Sequence, residues 1–165
     1  MVIKNIFAVL LVITFGFLAL SFTVNADDKK QFGYLGMDAC TKACHNKEKD
    51  GNQLQIWKES KHAEAYKTLK TPEADRVAKS LGYNQPAVEI DNCLRCHASG
   101  YNIDKSLVSE RFNIEDGVQC ETCHGAGEGY RSIHNKKDKE KSAQAGMIFY
   151  DNIEEYCHSC HNAES

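Results

Sequence analysis

The stretch Gly117–His134, GVQCETCHGAGEGYRSIH, holds two thiols, an imidazole directly after the second, a run of glycines and a second imidazole. Thiols two residues apart can each add to a vinyl group of one porphyrin, and the imidazole that follows is then placed beneath the iron. Cys120 and Cys123 are therefore expected to attach a c-type haem, with His124 as its proximal ligand. Gly125, Gly127 and Gly129 lack the Cβ that would hold the backbone off a porphyrin face.

The same pattern recurs along the chain. All eight cysteines fall in four pairs, Cys40/Cys44, Cys93/Cys96, Cys120/Cys123 and Cys157/Cys160, and each pair is followed at once by a histidine: His45, His97, His124 and His161. Paired thiols also build four-cysteine zinc sites and thioredoxin-type dithiols. Neither of those requires a histidine after every pair, so four covalent c-type haems are the expected cofactors. The first motif, Cys40-Thr-Lys-Ala-Cys44-His45, has three residues between its thiols where the others have two.

Around these motifs the composition bounds the rest. The chain has 165 residues and a formal net charge of −3. Four haems would add about eight propionates, which makes an acidic molecule and excludes a nucleic-acid partner. Lys4, the apolar run from Ile6 to Val24 and the small-residue site ending at Ala26 read as a secretory signal peptide over residues 1–26. Residues 27–165 then form one exported domain, periplasmic or extracellular. The competing reading of the same run is an uncleaved membrane tether.

Between the first and second motifs the periodicity is helical. Leu54, His62, Ala65, Tyr66 and Leu69 share a face of a helix expected from Leu54 to about Lys70, with Lys58 interrupting the stripe, and His62 is expected on the buried side. Trp57 lies away from His62 and is expected to pack. Thr71-Pro72-Glu73 starts a second helix with Thr71 as N-cap; Ala74, Val77, Ala78 and Leu81 are its apolar stripe and Gly82 its stop. Nothing reads as a strand-rich section. The expected fold is mainly α with extensive loops, its core built largely of haem, since so few residues per cofactor cannot enclose each one separately. Without haem such a chain should be largely unfolded.

Four irons with proximal histidines need four more ligands to be six-coordinate. His62 and His134 are the candidates. His158 lies inside an attachment motif and is expected to be a bystander, while Met37 and Met147 are expected to fill gaps. No histidine or methionine lies between His97 and Cys120, so the haem at His97 is a candidate for an open sixth position.

Taken in order, the C-x-x-x-C-H motif, Trp57-Lys58-Glu59-Ser60-Lys61-His62-Ala63-Glu64-Ala65, the second C-x-x-C-H, Gly117-Val118-Gln119-Cys120-Glu121-Thr122-Cys123-His124-Gly125 with His134 beyond, and a fourth motif resemble the tetrahaem cytochrome c-554 family. The resemblance implies closely packed haem pairs, electron transfer, bis-histidine ligation at most irons and one high-spin haem. It places His134 on the first haem, His62 on the fourth, and the five-coordinate iron at His97. Two departures stand. The first motif carries an extra residue, and only four residues follow His161 where the family's namesake continues, so the haem at His124 is expected to lack a ligand from such a tail.

Three readings follow. The leading one is an exported electron carrier between redox partner proteins; the alternatives are a small haem reductase or nitric-oxide-binding protein using an open haem at His97, and an oligomer forming a haem-stacked filament. Asp91, Glu89 and Arg95 lie near His97 in sequence but read as a solvated face.

Overall fold

A computed structural model describes residues 30–134 and 138–163. The signal segment over residues 1–26 lies outside these described residues. Gln31–Ser165 form one compact unit. Among the described residues no helix is long and apolar enough to cross a membrane.

The unit is mainly helical with long loops, as the sequence predicts. Its helices are α1 (Met37–Cys40), α2 (Gln53–Lys58), α3 (Lys61–Leu69), α4 (Pro72–Ser80), α5 (Asp91–His97), α6 (Cys120–His124), α7 (Lys139–Gln144) and α8 (Ile153–Cys157). Most are one or two turns long, too short to be stable alone, so tertiary contacts hold them. Extended pairing among the described residues is limited to one isolated bridge between Tyr34 and Val108.

Two expectations are corrected here. The single helix from Leu54 to Lys70 is two, because Ser60 adopts an extended conformation (φ −85°, ψ 159°) as the N-cap of α3. Its hydroxyl donates to the Trp57 carbonyl at 2.7 Å, closing α2. Trp57 itself is held by a tertiary bond, Nε1 donating to the Val118 carbonyl at 2.8 Å. The apolar stripe of α4 is also only half buried. Ala78 is enclosed, whereas Val77 and Leu81 are exposed. The N-cap is as expected: the Thr71 side chain accepts from Ala74 N.

Among the described residues Leu69, Ala78, Ala87 and Ile90 make the one cluster of buried apolar side chains, where α3 and α4 meet the turn before α5. The remaining buried apolar residues are Ala63, Ala98 and Tyr130. Four of these seven are alanines, and burial of so little apolar surface cannot offset the conformational entropy of a chain this long.

The extra residue of the first motif is absorbed locally. After α1 the backbone widens into a π turn, Thr41–His45, which fits one more residue per turn between Cys40 and Cys44. Cys93/Cys96 and Cys120/Cys123 lie on single turns of α5 and α6, and Cys157 ends α8 with Cys160 in the turn beyond.

Candidate haem sites

The imidazoles fall into pairs that the sequence separates widely. The rings of His45 and His134 are stacked with centres 6.0 Å apart and planes 18° apart. Those of His62 and His161 are also 6.0 Å apart, tilted at 47°. Metal–imidazole bonds of about 2 Å on each side, plus about 1 Å from each nitrogen to its ring centre, set two trans imidazoles about 6 Å apart. The spacing of each pair leaves room for one metal atom between the rings. Among the described residues neither His97 nor His124 has a paired ring.

Hydrogen bonds orient the rings. His134 Nδ1 faces the carbonyls of Tyr130 at 3.1 Å and Arg131 at 3.0 Å. His97 Nδ1 faces the Ala65 carbonyl at 2.9 Å, and His45 Nδ1 faces Gln53 Oε1 at 3.1 Å. A carbonyl only accepts, so these Nδ1 atoms carry the proton and each Nε2 keeps a lone pair for a metal. Burial first, and then the nearness of the His45 and His134 imidazoles, lowers the pKa of His124 below the usual imidazole range.

His62 departs from expectation, since its ring is exposed and faces His161 instead of an apolar core. The residue beside it, Ala63, takes the buried place. The opening stretch explains how α3 is held. Val118 N donates to the His62 carbonyl at 3.0 Å. Gly117 has φ 72°, and a Cβ there would meet that same carbonyl oxygen at 2.5 Å. Only glycine fits such a position without displacing its neighbour. The other glycines are required against protein too: a Cβ at Gly125 would meet Gly146 O at 2.5 Å, and one at Gly127 would meet Glu121 Oε1 at 2.9 Å.

The thiols are free and lie next to those of other motifs. Cys40 and Cys120 lie close together, and their interaction raises the first thiol and lowers the second to about 7. Burial, then a bond with Cys160, raises Cys96. Burial, then the nearness of Cys157, raises Cys123. The attachment sites therefore adjoin in the order first, third, fourth, second. A cavity of about 510 Å³ takes in both thiols of the first motif, both of the third, and His45, His124 and His134. Among the described residues no three His, Cys, Asp or Glu side chains gather closely enough to hold a metal ion by themselves. The repeated arrangement is the imidazole pair beside vinyl-accepting thiols, which fits a haem.

Two residues of the third motif that chemistry alone did not single out hold the sites together. Gln119 and Glu121 are both buried at 2% exposure. Gln119 accepts from Met37 N at 2.9 Å and donates to the Asn113 carbonyl at 2.8 Å. Glu121 accepts from the backbone of Leu35, Gly36 and Gly127. Their position between and beside two thiols was visible in the sequence, but their partners Leu35, Gly36 and Met37 lie over eighty residues away. Tyr150 and Tyr156, with ring centres 4.3 Å apart, donate their hydroxyls to the carbonyls of Cys123 and Thr122 and so dock the fourth motif on the third.

A family model described as cytochrome c554 and c-prime matches residues 39–125. A curated relative, cytochrome c-554 of Nitrosomonas europaea, is 32% identical over 143 residues, covering 78% of this chain and 57% of its own length. The chain thus spans little more than half of that relative. No solved structure matches it.

Proposed function

We propose, from the premise that this chain belongs to the cytochrome c554 and c-prime family, that it is an exported electron carrier with four covalently attached haems. The observation that supports this best is the pair of imidazole couples at 6.0 Å, assembled from residues 89 and 99 positions apart along the chain. In this reading His45 and His134 hold the first haem, His62 and His161 the fourth, and His97 and His124 are the proximal ligands of the second and third. The eight cysteines supply the thioether links. A bound haem takes up and releases one electron at its iron, and bis-histidine ligation favours the ferric state relative to histidine/methionine.

The protein's own part is placement. Carbonyl-bonded Nδ1 atoms keep His45, His97 and His134 in one tautomer, and the thiol neighbours order the attachment sites from first to third to fourth to second. Redox partner proteins are expected at either end of that series. Haem content by pyridine haemochrome and a potentiometric titration test the proposal. Four haems per chain with reversible couples are expected; fewer haems, or no reversible couple, reject it.

A second reading rests on His97, which has no paired ring among the described residues. An iron held there by His97 alone is high-spin and binds nitric oxide, which makes a small reductase or gas-binding protein the alternative. Electron paramagnetic resonance separates the two: wholly low-spin irons remove the alternative.

A further inference from the structure

Glu121 is a buried carboxylate that electron carriage does not by itself require. It lies between the two thiols of the third motif and is 2% exposed. Both oxygens are engaged by main-chain donors: Leu35 N at 2.9 and 3.0 Å, Gly36 N at 2.7 Å and Gly127 N at 2.6 Å. These main-chain N–H groups supply the hydrogen bonds that water would otherwise give a carboxylate. Among the described residues no cation is paired with it. Arg131, whose charge is felt at Cys40, is exposed and bonded through Nε to the Ala39 carbonyl at 2.7 Å, where water screens it.

The charge sits where two attachment sites meet. Cys40 and Cys120 line the same cavity, and the field of Glu121 reaches both. The segment Leu35–Gly36 that Glu121 holds leads directly into α1, which carries Cys40.

We propose that Glu121 is a fixed internal anion that lowers the reduction potentials of the first and third haems together. It is a positioning and tuning residue that touches no reacting atom. Each haem gains one electron on reduction and no bond forms or breaks; a negative charge nearby opposes that gain. A unit charge about 10 Å from an iron, at an effective dielectric constant of about 20, changes the ferrous-to-ferric ratio roughly tenfold at a given applied potential. The inference rests on the four-haem reading above.

The test is a dithionite titration of the holoprotein, with the haems distinguished by their paramagnetic signals, for the native chain, E121Q and Q119A. Glu121→Gln removes the charge at nearly constant shape but sets an amide N–H group against a main-chain donor, which is why a variant that loosens the docking and keeps the charge is needed beside it. Gln119→Ala loosens the same docking, through Met37 and Asn113, and leaves the charge in place. Expected are potentials raised for the first and third haems in E121Q, worth roughly a tenfold gain in ferrous form at fixed potential, with the second and fourth unmoved and Q119A like the native chain. Equal shifts in all four haems, no shift in E121Q, or the same two shifts in Q119A overturn the proposal. Should E121Q fail to mature, E121D keeps the charge and shortens its reach: native potentials in E121D and Q119A support a charge effect, and displaced ones in either show that docking geometry sets them. A native chain lacking four haems would instead reject the underlying reading.

Discussion

At the scale of single residues, the imidazole pairs carry the most specific expectations. In the proposed ligation, His134→Ala should leave the first iron with His45 alone and convert its low-spin signal to high-spin, and His62→Ala should do the same at the iron beside His161. His134→Met should keep the first haem low-spin and raise its potential, because thioether ligation favours the ferrous state. Asp116 offers a pH prediction. Burial raises its carboxyl above the ordinary value, with the charge of Asp38 adding to the effect. The folded chain therefore binds that proton more tightly than the unfolded one, and the stabilisation this brings is present at low pH and lost as pH rises through the folded value. Asp116→Asn should raise the melting temperature of the holoprotein at pH 7 and leave it nearly unchanged at pH 3.

At the scale of elements, short helices depend on their ends and neighbours. Thr71→Ala removes the side-chain acceptor for Ala74 N at 3.3 Å and should cost about 1 kcal/mol, measured by denaturant unfolding with no change in the haem spectra. Gly117→Ala should act differently. Its Cβ would press on the His62 carbonyl, the backbone group that fixes the register of α3 against the third motif. A high-spin signal from the fourth haem is expected, although residue 117 lies next to the third motif in sequence. The π turn at Thr41–His45 belongs to this scale as well. One residue inserted into an attachment motif changes the local helix and not the order of thiol, thiol and imidazole.

At the scale of the molecule, the apolar core is small. Among the described residues seven buried apolar side chains, four of them alanine, stand beside an exposed set that includes Ile56, Leu81 and Ile153. A chain with this inventory gains too little from burying its own side chains to fold alone. Replacing the eight cysteines by alanine should therefore give a haem-free protein with weak far-ultraviolet helical signal and no cooperative melt. A folded, cooperatively melting product would show that the polypeptide core suffices. The adjacency of thiols from different motifs belongs to this scale, since it joins segments up to eighty residues apart.

Sequence alone determined the attachment chemistry, because C-x-x-C-H places two nucleophiles and a ligand within one helical turn and needs no tertiary contact to be recognised. It also determined the helical class, the α4 N-cap and the candidacy of His62 and His134, while the resemblance to a family implied which haem each would reach. Tertiary structure decided what those histidines face. The pairing of His45 with His134 and of His62 with His161 depends on how loops return, which leaves no periodic trace. The break at Ser60 and the exposure of Val77 and Leu81 were hidden for a related reason: a helical pattern reports which residues share a face, not whether protein covers it. Glu121 shows the limit most clearly. In the sequence it is one polar residue between two cysteines, and only the fold brings the N–H groups of Leu35 and Gly36, over eighty residues away, to join that of nearby Gly127 on its carboxyl group.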